Sequence, residues 1–200
     1  VENITNVQSK TNLRAKYTDK GGYALGAAVE TNLHALPQSF SQTVGTLGVE
    51  PTFDNWMRAS QYLDDANAPE EDRFIVVRPA TYYAMRKIDQ FVNADYTGSL
   101  GSMKTGRSQV GTLWGNVPVF KTTLVRAPSA GQAENWYCHK RGVYYCSQDM
   151  KSRSAFDINM DSDIVSLTHI YGYLEALQPP ITAGGGAATD VFNVVVYGVS

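Results

Sequence analysis

From Ile4 to Leu36 the apolar positions recur at helical spacing. Leu25, Val29 and Leu33 fall at i, i+4 and i+8, with Ala24 and Ala28 beside them, and Leu13 and Tyr17 carry the stripe toward the N-terminus. One apolar face about 100° wide is the pattern of an amphipathic helix. Thr5 or Asn6 is placed to cap its start, and Pro37 marks its end. At about 1.5 Å per residue, some 30 residues make a rod of roughly 45 Å. Gly21-Gly22 interrupts the stripe, and each glycine costs about 1 kcal/mol relative to alanine. The pattern therefore predicts either one bent helix or two helices meeting at the glycines.

After this helix, Gln38 to Glu50 is polar and carries two glycines, so it reads as a linker or an extended segment. Pro51-Thr52 opens a second helix. Thr52 is its N-cap, and Asp54 sits in the first turn, where the helix dipole favours a negative charge. Phe53, Trp56, Met57, Ser60 and Leu63 form the predicted buried face, and the helix stops near Ala66. Phe74 to Val77 is a short continuous apolar run, which predicts a buried central strand. Arg78-Pro79 then starts a helix over Ala80 to Val92, because proline suits the first helical position. It is expected to bury Tyr83, Ile88 and Phe91, with Lys87 and Asp89 outward.

Asn93 to Ser108 is a glycine-containing surface loop of a length usually tied to function or disorder. Gln109 to Trp114 and Val117 to Leu124, joined by Gly115-Asn116, predict a hairpin. Pro118 puts its strand at a sheet edge or at a strand start. Ala127 to Glu134 reads as a loop. Trp136 to Cys146 reads as a hairpin whose turn, Arg141 to Val143, sets Cys138 opposite Cys146. Ser154 to Met160 is a strand, and Val165 to Leu177 a long strand broken at Gly172. Gln178-Pro179-Pro180 ends it, Thr182 to Thr189 is a glycine linker, and Val191 to Val199 is a last strand. No repeat of fixed period runs through the chain.

Composition sharpens the picture. The 200 residues are 43% apolar, enough for a real core in one large domain or two small ones. Only 18% are charged, against roughly 25% in an average globular protein. A subunit buried against its neighbours has such a surface; so does a β-rich monomer with polar uncharged loops. The net charge is −2 and no Lys/Arg run forms a nucleic-acid footprint, which argues against sequence-specific DNA binding. No apolar run is long enough for a transmembrane helix, and no signal-peptide pattern opens the chain. The chain begins at Val1, which suggests processing or a longer product.

Candidate chemistry is sparse. The two cysteines are too few for a disulfide scaffold, and without a secretory signal they are expected as free thiols, although a cross-strand bridge fits the hairpin. As a zinc pair Cys138 and Cys146 lack further ligands. His34, His139 and His169 stand in no nucleophile-elbow context. Asp157, Asn159, Asp161 and Asp163 have the two-residue spacing that opens a calcium loop. Ser162 and Thr168, however, stand where its turn glycine and bidentate glutamate belong. On a strand the same spacing makes one solvated face. Gly184 to Gly186 lacks the ending of a phosphate loop. Lys104 and Arg107 are loop charges able to meet phosphate or a partner. No catalytic, cofactor-binding or metal residue is assigned, and the chain is not expected to be an enzyme.

The order of elements resembles the major capsid protein of tailed double-stranded DNA bacteriophages, the Hong Kong 97-type fold. Gly22 to Leu33 resembles the second half of that family's spine helix. Arg73-Phe-Ile-Val-Val-Arg-Pro-Ala-Thr-Tyr-Tyr83 resembles the strand and helix of its axial domain. Gly115-Asn-Val-Pro-Val119 resembles its hairpin, and Tyr171 to Pro179 its closing strand. The resemblance spans Ile4 to Pro180. The family's N-terminal arm and extended hairpin loop are missing before the spine helix, and Ile181 to Ser200 runs past the usual end.

The resemblance implies an α+β fold. A peripheral domain is expected from residues 1–50 and 151–200, built on the spine helix and the long strands. An α/β axial domain is expected from residues 51–150, with Asn93 to Ser108 at the capsomer axis. It implies a structural protein that self-assembles as hexamers and pentamers into an icosahedral shell enclosing phage DNA. The partners would be copies of itself, portal and scaffold proteins, and DNA held without sequence preference; no membrane is involved. The location would be the virion, assembled in the host cytoplasm. The alternatives are an encapsulin-type nanocompartment shell, a tail or decoration protein, and an enzyme domain.

Overall fold

The structure, a computed structural model, describes residues 13–92, 112–113, 117–177 and 191–200. Expectations for residues 4–12, for the loop Asn93 to Ser108, for the Gly115-Asn116 turn and for the linker Thr182 to Thr189 lie outside these residues. The described elements run as helix α1 (Leu13–Leu33), a 3-10 turn (Leu36–Gln38), strand β1 (Thr43–Val44), helix α2 (Phe53–Asp65), strand β2 (Arg73–Val77), and helices α3 (Pro79–Met85) and α4 (Asp89–Val92). Strands β3 (Thr112–Leu113), β4 (Val117–Lys121), β5 (Ala133–His139), β6 (Val143–Ser147), β7 (Lys151–Asp157), β8 (Ser162–Thr168), β9 (Tyr171–Glu175) and β10 (Asn193–Gly198) follow. The architecture is mixed helix and sheet, as expected.

Two compact units divide the chain. One is the described part of Val1–Leu33 with Tyr145–Tyr173, and the other is His34–Tyr144 with Leu174–Ser200. Residues 34–50 and 191–200 group by contact with the second unit, through β1 and β10 of its sheet.

That sheet has six strands in the order β1-β10-β5-β2-β4-β3. β10 pairs antiparallel with β5 (Val195 opposite Trp136), β5 antiparallel with β2 (Ile75 opposite Tyr137), and β2 parallel with β4 (Ile75 opposite Val119). β2 is interior, as its unbroken apolar run predicts. The hairpin of β3 and β4 forms with Thr112 opposite Pro118. Pro118 precedes the first β2–β4 pair, so its missing N–H costs no bond to β2.

α2 obeys the local rules that the sequence carries. Thr52 Oγ1 accepts from the Asn55 N–H at its start. At its end Asn67 turns left-handed (φ 57°), Ala68 N–H donates to Leu63 O, and Asn67 N–H donates to Asp64 O. This is a Schellman cap, with Asn in the position usually held by Gly. Trp56, Ala59 and Leu63 are buried against the sheet with Ile75, Val77, Met85, Tyr137, Val194 and Val196. Met57, expected in that face, is exposed; one position from Trp56, it points about 100° away.

The helix expected over Ala80 to Val92 is two short ones. Thr81, Ala84 and Met85 are the buried positions of α3, while Tyr83 is exposed and Phe91 of α4 is buried. The segment 38–50, read as a linker or an extended segment, holds β1, which pairs parallel with β10 through Thr43–Val195 and Val44–Val196.

The Trp136 to Cys146 hairpin does not form. β5 is flanked by β10 and β2, Cys138 faces Phe74 and Asn193, and β6 pairs with β9. A 3-10 turn (Lys140–Gly142) breaks the run, so Cys138 is buried and Cys146 exposed, and no disulfide joins them. Likewise Val165 to Leu177 is two strands, broken at His169-Ile170 and not at Gly172.

β5 is buried along its whole length. On one face Tyr137 and Asn135 meet α2 and α3. On the other, His34 and Phe40 pack edge-on to Trp136, with ring centroids at 5.0 and 5.8 Å. His34 is 7% exposed, and burial pushes its pKa from 6.5 down to about 4. The unfolded chain therefore takes up this proton first as the pH falls. Stability is full above about pH 6.5 and is lost toward about pH 4, by about 3 kcal/mol in total. Burial also lowers the pKa of His139, with Arg141 adding to the effect, so the acid slope is shared. A His34→Phe variant should keep its stability at pH 7 and lose its own share of the slope, read from urea midpoints across that range. An unchanged slope would remove His34 from the account.

Candidate assembly surface

The first unit is α1 with the β7–β8 hairpin and parts of β6 and β9. The hairpin pairs seven residues a side, from Lys151 opposite Thr168 to Asp157 opposite Ser162. α1 is one uninterrupted helix over its described length, so the glycines neither break it nor separate two helices. Half of the predicted stripe is recovered: Leu13, Leu25, Val29 and Leu33 are half-buried, whereas Tyr17, Ala24 and Ala28 are exposed. Gly21 lies against β8; a Cβ there would sit 2.7 Å from Leu167 Cδ1. Gly22 has nothing within 4 Å of the same position. Gly22→Ala should therefore stabilise α1 by about 1 kcal/mol. The thermal midpoint of the full chain checks this, and a fall would show that the site needs glycine.

No described residue of this unit is buried. That is abnormal for a 21-residue helix and a two-stranded ribbon, since a lone hairpin is marginal in water and helices draw their stability from a buried face. Instead the unit shows its apolar side chains. Tyr23 is 81% exposed, and Tyr17, Phe156, Ile158, Met160, Ile164 and Ile170 are exposed as well. An open groove of about 750 Å³ runs between α1 and β8, floored by Leu13, Tyr17, Leu25, Val165 and Leu167. At its rim Arg14 pairs with Asp163 at 3.3 Å. Toward the other end of α1, Asn32 donates to the Tyr171 hydroxyl, and Tyr171 stacks on Tyr173 with centroids 6.3 Å apart.

The residues considered for chemistry are dispersed or structural. His34 packs on Trp136, and His139 Nδ1 accepts from the Arg141 N–H. His169 stacks near Tyr171. Asp157, Asn159, Asp161 and Asp163 do not share a strand face. They bracket the β7–β8 turn, where the Asn159 N–H donates to Asp157 Oδ1 and Asp161 turns left-handed (φ 45°). Among the described residues no group of three or more His, Cys, Asp or Glu could hold a metal ion. No described helix is long and apolar enough to cross a membrane. Sequence reasoning missed the exposed apolar tip, Ile158 and Met160, because Asp157-Ile-Asn-Met-Asp161 alternates like a strand. The signal against a strand was the Asn and Asp content, which favours turns.

No family model matches the chain, and no curated protein matches it. Solved structures do. A chain of Mycobacterium phage Che8 superposes with a TM-score of 0.76 at 22% identity, over 98% of this chain and 67% of that one. A chain from the capsid structure of cyanophage P-SCSP1u superposes with a TM-score of 0.66 at 15% identity, over 98% of this chain and 69% of that one. At these identities the likeness speaks to fold: this chain shares the fold of chains from two phage structures, one of them a capsid.

Proposed function

We propose that this chain is the major capsid protein of a tailed double-stranded DNA bacteriophage, with the Hong Kong 97-type fold. Copies build hexamers and pentamers that close into an icosahedral shell around DNA. The observation that carries this reading is the first unit, which has regular helix and strand but no buried residue among those described. Covering its exposed apolar surface with other copies would supply the core that its own chain lacks. The shared fold with a chain of a cyanophage capsid structure supports the same conclusion.

In this reading α1 is the spine, the first unit is the peripheral domain, and the six-stranded unit is the axial domain. Portal and scaffold proteins are partners, the DNA is held without sequence preference, and the shell assembles in the host cytoplasm to become the virion. The protein's role is structural and not catalytic.

The test is the mass and shape of the native particle, by sedimentation with negative-stain imaging of the full-length product. A closed icosahedral shell of megadalton mass is the expected result. Absorbance of enclosed nucleic acid then separates a virion from a cellular nanocompartment. A monomer or dimer under all assembly conditions overturns the reading.

A further inference from the structure

β7 is an edge strand over its whole length. Among the described residues its ladder partner is β8 alone, on one side. Its side chains are exposed from Lys151 to Phe156, and Asp157 is half-buried. The register with β8 runs unbroken from Lys151 to Asp157, and the strand holds neither proline nor bulge. Its other side therefore presents a straight row of backbone N–H and C=O groups, the template on which a further strand adds. A two-stranded ribbon is marginal in water, and further strands are what such a ribbon lacks.

The side chains select the strand that fits. Lys151, Arg153, Ala155 and Asp157 alternate on one face of β7, and Ser152, Ser154 and Phe156 on the other. An antiparallel pairing of β7 with β7 of another copy, centred on Ser154, uses the whole strand. Lys151 falls opposite Asp157, Ser152 opposite Phe156, Arg153 opposite Ala155, and Ser154 opposite itself. Each end then carries an ion pair, and Arg153 reaches the same Asp157 along the diagonal. Among the described residues Lys151 and Arg153 have no ion-pair partner in their own chain. Asp157 accepts the Asn159 N–H through Oδ1, which leaves Oδ2 for a cation. A parallel pairing in register instead sets Lys151 against Lys151 and Arg153 against Arg153, and like charges oppose it. The outer edge of β8 offers no such match. A two-fold about its central Val165 puts Asp163 opposite Leu167, and Asp163 is already paired with Arg14 at 3.3 Å.

We propose that β7 of one copy pairs antiparallel with β7 of a second copy about a two-fold axis through Ser154. Two hairpins thereby become one four-stranded sheet in the order β8-β7-β7-β8. This deepens the capsid-subunit reading and rests on it for the supply of copies. The contact is isologous: each copy gives and receives the same edge, and the pairing closes on two copies.

The test uses assembled particles of the full chain in a Cys146→Ser background, with buried Cys138 left in place. Ser154→Cys sets a thiol opposite its own copy, at about 4.5–5.5 Å between Cα atoms, within disulfide reach. Ser166→Cys, exposed on β8, is the control. The particles are mildly oxidised and run on a non-reducing gel. Ser154→Cys should give a covalent dimer roughly tenfold above the control, with no ladder beyond the dimer, as a two-fold contact requires. Adding Lys151→Glu, which opposes two carboxylates, should lower that dimer roughly fivefold. An equal mixture of Ser152→Cys and Phe156→Cys chains is the second arrangement, in case the first disturbs assembly, and should give more dimer than either chain alone. Particles that form without the excess dimer in either arrangement overturn the contact while leaving the capsid reading intact. A dimer yield that Lys151→Glu leaves unchanged also overturns it. Failure of the unmodified chain to form any particle overturns the capsid reading and this contact with it.

Discussion

Asn135→Leu is expected to destabilise the second unit by about 4 kcal/mol, enough to consume much of the stability of an ordinary domain. Asn135 lies fully buried in the central strand β5. Its Oδ1 accepts from the Arg78 N–H at 3.0 Å, satisfying a part-buried backbone donor where α3 begins. Its Nδ2 donates to the Val196 carbonyl at 3.0 Å and to Thr81 Oγ1 at 3.3 Å, and Thr81 Oγ1 donates onward to the Val199 carbonyl at 2.7 Å. One side chain thus joins the start of α3, the strand β5 and the chain end. Leucine fills a similar volume but leaves at least two backbone groups buried without partners, at about 1–3 kcal/mol each. Gly198 belongs to the same arrangement, since a Cβ there would lie 2.7 Å from Asn135 Nδ2 and 2.8 Å from Thr81 Oγ1. Urea unfolding followed by circular dichroism measures the effect. A loss below about 1 kcal/mol would mean that water or a backbone shift replaces the lost bonds.

Arg73→Met should cost about 3 kcal/mol or more. The Arg73 guanidinium is almost wholly buried and reads out the end of α2. Nη1 pairs with Asp64 at 2.7 Å, Nη2 donates to the Ala68 carbonyl at 2.6 Å, and Nε donates to the Pro69 carbonyl at 2.8 Å. Burial works against its charge, but the hydrogen bonds to Asp64 and Tyr137 outweigh burial, and its pKa is raised. Methionine keeps the stem and loses every charge-assisted bond. Asp64 is half exposed, so the penalty comes chiefly from the two carbonyls and the lost ion pair. Arg73→Lys should recover only part of the loss, because a single ammonium cannot match a planar fork. Equal stability of the methionine variant and the parent would contradict this.

What the sequence disclosed, and what it hid, follows from where the determinants lie. α2 and β2 were legible because their signals are local: Thr52 and Asp54 at one end, an apolar face, and a β-branched run between turns. β5 was legible only from Trp136, as half of a hairpin; its start fell to the preceding loop, because the partners of buried Asn135 come from distant parts of the chain. Asn135 is held by Arg78, Thr81 and Val196. The same holds for β1, two residues that become a strand only beside β10. Alternation carried the reading of Ser154 to Met160 past the true turn, which Asn159 and Asp161 make. Of the assembly surface, the long helix was read from its spacing. The hairpin tip was not, because exposure of an isoleucine on a turn has no signature in a single sequence.

The central claim is that the first unit gains its core from other copies. Amide hydrogen exchange, compared between the free subunit and the assembled particle, tests it directly. Fast exchange throughout α1, β7 and β8 is expected in the free subunit, with at least about tenfold slowing there on assembly, since burial by neighbours must protect what the chain leaves open. The six-stranded sheet should be protected in both states. Equal exchange of α1, β7 and β8 in subunit and particle would contradict the claim.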